Sequence, residues 1–186
     1  MPKGPKAKGP RPGRKAFKGF GPKGTRIRMM EPGEAESLFR LRTEAMSAIG
    51  DGSADVDMAE FVTFLVTHEI FVAADKKTGA LAGYAAAVDR VDFYLVREIA
   101  VAPRLADTGI HAALLDAVTQ RARWYYYRCV ALLNALDSPK DSSSYDQKGF
   151  MKVSRKDLPV SLQEDLRAIM GCRAASANWL LHVKWL

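Results

Sequence analysis

Apolar positions along the chain fall into short runs and helical stripes from residue 26 onward, and before that they are nearly absent. Residues 26–30 predict a short strand, closed by Glu31-Pro32-Gly33. Leu38, Leu41, Ala45 and Ile49 recur at helical spacing and predict an amphipathic helix over about 34–49. Gly50, Asp51, Gly52 and Ser53 end it. Asp55 is placed to cap a second helix reaching His68, with Met58, Phe61, Val62 and Leu65 on one face. Residues 70–74 then read as a strand, Lys76-Lys77-Thr78-Gly79 as a hairpin turn, and residues 80–88 as its small-residue partner. After a turn near 89–92, residues 93–101 predict a long strand ending at Pro103. A helix over 109–124 carries Ile110, Leu114, Ala117 and Val118 on one face and Asp116, Gln120 and Arg121 off it. A buried-strand run at 129–133 follows. A short helix over 140–148, a strand at 150–153, a helix over 162–170 and a closing strand at 179–185 complete the pattern.

The strand–helix–strand unit in the middle implies a parallel crossover, and the hairpins before it imply antiparallel pairing. The expected class is α/β, with a mixed sheet of six to seven strands flanked by helices. It forms one domain over 26–186 of the 186 residues, behind a separate segment at 1–25.

Composition changes the picture mainly at that segment. Lys-Gly-Pro themes fill residues 1–25, whose proline, glycine and charge density predicts disorder. Ten cations precede the first acidic residue, Glu31, and the remaining 18 basic residues face 21 acidic ones. The body is therefore mildly acidic, and the N-terminal segment makes the whole chain basic. Lys3, Lys6, Lys8, Arg11, Arg14, Lys15, Lys18 and Lys23 read either as a solubility device or as contacts to a nucleic acid or another polyanion. No apolar run suits a membrane span, and the start lacks the apolar stretch of a secretory signal. Two cysteines, Cys129 and Cys172, read as reduced thiols in a cytoplasmic protein. Three histidines without a Cys/His cluster give no metal spacing. His68 and His182 read as surface or core residues. Ser142-Ser143-Ser144 lacks the setting of a serine nucleophile. Trp124-Tyr125-Tyr126-Tyr127 reads as core and rim packing in preference to a base-stacking platform.

Candidate chemistry gathers in the stretch from Glu98 to Leu115, where a strand meets Pro103, a loop, and a helix opening at Gly109. A helix start offers unpaired backbone N–H groups and partial positive charge, a seat for a pyrophosphate. This stretch resembles the cofactor segment of the GCN5-related N-acetyltransferases, the GNAT superfamily. Ser144-Tyr145-Asp146-Gln147-Lys148-Gly149-Phe150 is similar to that family's second signature. The resemblance implies acetyl-CoA as cofactor, with no metal, and an amine as acceptor. It places cofactor contacts at Ile99, Val101, Ala106, Asp107, Thr108, Gly109, Ile110, His111 and Ser138. It implies Glu98 as general base, a backbone N–H near Val101 as the donor polarising the thioester carbonyl, and Tyr145 as the acid that protonates the leaving thiolate. The residues depart from the family pattern at Ala106, Asp107, His111 and Ser138. Read on its own, Glu98 also fits a solvent-facing strand position or a salt bridge to Arg97 or Arg128. Tyr145 also fits simple packing beneath Phe150. A second reading is therefore kept beside the enzyme: a catalytically inactive binding or structural protein, such as a phage virion component, that uses the N-terminal cations.

Overall fold

Strands form where apolar and small residues alternate without breakers, and the computed structural model pairs them into one mixed sheet. It describes residues 21–49, 56–90, 93–135, 145–158, 160, 163–164, 166–167 and 179–186. The strands are β1 (Thr25–Met29), β2 (Glu69–Asp75), β3 (Leu81–Asp89), β4 (Tyr94–Val101), β5 (Cys129–Ala135), β6 (Met151–Val153) and β7 (Trp179–Trp185). The helices are α1 (Ala35–Ile49), α2 (Met58–Val66) and α3 (Ile110–Trp124). The seven strands lie in the order β1-β2-β3-β4-β5-β7-β6. The first four pair antiparallel, β4 and β5 run parallel, and β7 pairs antiparallel with both β5 and β6.

Two layers cover the sheet. α3 buries Ile110, Leu114, Leu115 and Val118 against Phe71, Ala85, Ala87, Val96, Val130 and Leu132. α1 and α2 bury Leu38, Leu41, Phe61 and Leu65 against Ile70, Val72, Tyr84, Ala86 and Ala100 on the other face. Small residues on β3 let helices approach from both sides. Gly83 admits nothing larger, since a Cβ there would stand 2.8 Å from the Ala100 carbonyl oxygen.

Several boundaries differ from the sequence expectation. Asp57, not Asp55, caps α2, accepting from the Glu60 N–H at 2.8 Å. Only Phe61 and Leu65 of that helix are buried, whereas Met58 and Val62 face solvent. Nine residues make too short a helix to bury a broad stripe. The expected loop between β4 and α3 is a 3₁₀-helix, Pro103–Thr108. The expected helix over 140–148 falls within the described residues only from Tyr145. That over 162–170 lies largely outside them, and residues 1–20 and Ser138 lie outside them altogether.

Candidate active site

One extra residue on β4 shapes the centre of the molecule. Opposite β3, Ala87 pairs with Val96 but Ala86 pairs with Glu98, so Arg97 is a bulge. A bulge reverses the in–out alternation of everything beyond it. Tyr94 and Val96 face α3, and after the bulge Ile99 and Val101 face α3 again while Glu98 and Ala100 face α1. The bulge also marks where β4 leaves β5: their ladder holds only Tyr94–Val130, Leu95–Ala131 and Val96–Leu132. Beyond those pairs the ladder between the two strands ends among the described residues, and Ile99 to Val101 stand outside it.

At the head of that cleft the 3₁₀-helix turns into α3 through Gly109, whose φ of +81° suits glycine. A Cβ there would meet nothing within 4 Å, so the turn is open on its outer side. α3 has no side-chain cap, which leaves its first-turn amides unclaimed by a capping side chain. Ala106, Asp107 and Thr108 are exposed and Ile110 is buried beneath them. The Thr108 hydroxyl donates to the Leu105 carbonyl at 2.6 Å, which braces the turn. Asp107 is exposed on this turn, and Ala106 brings no cation to it. An open hollow of about 550 Å³ lies beside Pro103 and Arg104, bounded by Glu44, Ser47 and Ala48 of α1.

Glu98 is buried, not solvent-facing. Its partner is Arg42 of α1, with Nε 3.0 Å from one carboxylate oxygen and 3.3 Å from the other. The Tyr84 hydroxyl donates to the same carboxylate. Both charged side chains are over nine-tenths buried. The group therefore ties α1, β3 and β4 together at the mouth of the cleft.

On the α3 side, Tyr145 is buried, with its ring edge-on to Phe150 at 6.1 Å. Its hydroxyl lies 3.2 Å from Nε2 of His111, so the imidazole is turned toward the tyrosine. His182 of β7 packs on the other side of Tyr145, ring centroids 5.2 Å apart. It is 1 % exposed, and neither ring nitrogen has a partner at hydrogen-bonding geometry. Burial pushes its pKa down, and Lys152 adds to this. Asp146 and a looser approach to the Leu180 backbone oppose it. His182 thus sits neutral beside the tyrosine.

Arg42 and Tyr84 were not singled out by sequence reasoning, and His182 was read there only as a surface or core residue. Arg42 carries a signal, a cation inside the apolar stripe formed by Leu38, Leu41 and Ala45. For His182 the sequence leaves surface and core open, and the structure places it in the core. Among the described residues no group of His, Cys, Asp and Glu suits a metal ion.

A mixed sheet whose parallel central strands part at a β4 bulge, with a turn and an uncapped helix at the cleft, is the fold of the GNAT acetyltransferases. An acetyltransferase from Streptococcus agalactiae superposes with a TM-score of 0.69 at 16% identity, covering 88% of this chain and 99% of that one. A GNAT family acetyltransferase from Elizabethkingia anophelis with acetyl-CoA bound gives 0.59 at 16% identity, over 88% and 99%. The PaiA N-acetyltransferase from Thermoplasma acidophilum in complex with coenzyme A gives 0.65 at 12% identity, over 87% and 99%. No family model and no curated protein sequence matches the chain.

Proposed function

We propose that the chain is an acetyl-CoA-dependent N-acetyltransferase that uses the cleft between β4 and β5. The observation that carries this is the parting of those strands directly below an open, uncapped helix start. Coenzyme A bound to similarly folded proteins supports the same ligand. The donor side of the site fits a diphosphate through backbone amides alone. Residues 108–111 would supply N–H groups and the helix dipole, without a side-chain cation. Exposed Asp107 weakens that fit, and Ser138 remains a candidate contact. When bound, acetyl-CoA supplies the activated acyl group.

The chain's own groups then have distinct tasks. A free N–H on the cleft edge of β4, from Ile99 or Val101, would polarise the thioester carbonyl. Tyr145 would deliver its proton to the departing thiolate, and His111, at 3.2 Å, would share the replacement proton. Glu98 would draw the proton from the attacking amine through a water, since Arg42 and Tyr84 already engage its carboxylate. The acceptor is an amine.

Ligand linkage tests the proposal. Millimolar acetyl-CoA should raise the melting temperature, by roughly 2.7 kcal/mol of stabilisation at a hundredfold excess over Kd. Thiol release over a panel of amines should appear in native protein and fall at least tenfold in Tyr145→Phe. Absence of any thermal shift with both acetyl-CoA and coenzyme A would overturn the assignment.

A further inference from the structure

α3 has a second end, and its surface there is unlike the rest of the molecule. Trp124, Tyr125 and Tyr126 follow one another off the helix at 50%, 54% and 93% exposure. The end of β7 lies beside this turn, since Trp185 pairs with Cys129 and the Leu186 N–H donates to the Arg128 carbonyl, but the Trp185 ring follows Cys129 and Val183 onto the sheet face away from α3. The sequence expectation of core and rim packing holds for Tyr127, which stacks on Tyr94 at 5.2 Å, and for Tyr125, whose ring lies 4.2 Å under the Arg121 guanidinium, but not for Tyr126. Tyr126 is moreover the only non-glycine residue with positive φ among the described residues, at 60°. The Tyr126 and Tyr127 N–H groups donate to the Arg123 and Ala122 carbonyls and hold that turn. A left-handed tyrosine carries strain and here yields no packing, since its ring stands in solvent.

Arg123 and Arg128 are exposed and have no carboxylate partner among the described residues. Lys184 has its pKa lowered by burial and by neighbouring Arg123 and Lys148, against the pull of Asp116. The nearby carboxylates are already engaged. Glu69 holds Arg121 and Tyr94, Asp116 holds Lys148, and Asp89 lies close enough to Tyr127 to help raise its pKa. An isologous contact between two copies would press Arg123 and Arg128 together without a carboxylate to receive them.

We propose that this end of the molecule is a platform for single-stranded nucleic acid, with Tyr126 and Trp124 stacking on bases and Arg123 and Arg128 meeting phosphates. Exposed aromatic faces beside unneutralised arginines match unpaired bases on a polyanion, and a duplex hides the faces they need. The platform lies at the opposite end of α3 from Gly109, so it is separate from the cleft and does not depend on the proposed acetyl transfer.

Titrating the full chain with oligo(U) and oligo(dT) should quench tryptophan fluorescence. Tyr126→Ala and Trp124→Ala should each weaken binding at least about fivefold. Arg123→Glu/Arg128→Glu should also weaken it and reduce the salt slope by about 1.4. Tyr126→Gly separates function from structure: it relieves the left-handed strain, so it should melt no lower than the native chain yet bind as weakly as Tyr126→Ala. Unchanged affinity in the Tyr126 variants would overturn the proposal, as would equal affinity for duplex DNA. So would a native dimer that Tyr126→Ala turns into a monomer.

Discussion

At the scale of single residues, two buried polar groups carry opposite consequences. Arg42 and Glu98 are both withdrawn from water and answer one another, with Tyr84 completing the contact. Removing one member leaves the other buried without its counter-charge, which costs about 3–5 kcal/mol. Arg42→Met should therefore lower stability by that amount in urea melts. Adding Glu98→Leu should restore most of it, because the packed apolar pair has no charge to strand. A single variant as stable as the native chain would show that the pair contributes nothing to holding α1 on the sheet. His182 differs, because it is buried without a hydrogen-bonded partner. His182→Leu should gain about 1–2 kcal/mol, the cost of an unsatisfied buried group. The pH dependence has a definite sign. Burial lowers the folded-state pKa below the ordinary 6.5, so the unfolded chain takes up the proton first as pH falls. Native stability should decline below about pH 6.5 for this reason. The leucine variant should show a flatter acid limb in thermal melts at stepped pH, and parallel curves would contradict the burial argument.

Elements show what the chain's pattern discloses and what it hides. The strand and helix sequence was legible because residues such as Leu38, Leu41 and Ala45, or Ile110, Leu114 and Val118, keep strict helical spacing over an apolar face. The closing strand was read at its observed bounds, Trp179–Trp185, from its apolar run. The bulge at Arg97 was not legible, since nothing in Tyr-Leu-Val-Arg-Glu-Ile-Ala-Val marks which residue β3 leaves unpaired. That single irregularity decides which face Glu98 occupies, so its partner Arg42 was hidden too. Gly109 was legible as the start of the key helix, and its left-handed conformation explains why. Gly109→Ala should cost about 1 kcal/mol of stability, all of it conformational because the new Cβ meets nothing. Relaxing the turn would also re-aim the first-turn amides. Calorimetry should therefore show acetyl-CoA affinity falling more than tenfold, well beyond what the small loss of stability implies. Equal affinity in the two proteins would remove the α3 start from the cofactor site.

Over the whole molecule, charge and chemistry are distributed toward different ends. No helix among the described residues is long and apolar enough to cross a membrane. The formal net charge is +7, and residues 1–20 alone contain seven cations and no acid. Deleting them leaves a chain with no net charge at neutral pH, so its solubility should fall there. We propose that these cations contact the same polyanion as the Arg123–Arg128 surface. Each would displace a condensed counterion, while the aromatic rings supply the contact that salt does not weaken. The two contributions are thus separable by ionic strength. Deletion of 1–20 should make oligo(U) binding much less salt-dependent, reducing the slope by as much as about five if all seven cations engage. Tryptophan quenching should survive in the deletion variant, because the rings that stack remain. The acetyl-CoA thermal shift should be unaltered, because no residue assigned to the cleft lies in 1–20. An unchanged salt slope would exclude the N-terminal cations from the contact and leave Arg123 and Arg128 to account for binding by themselves.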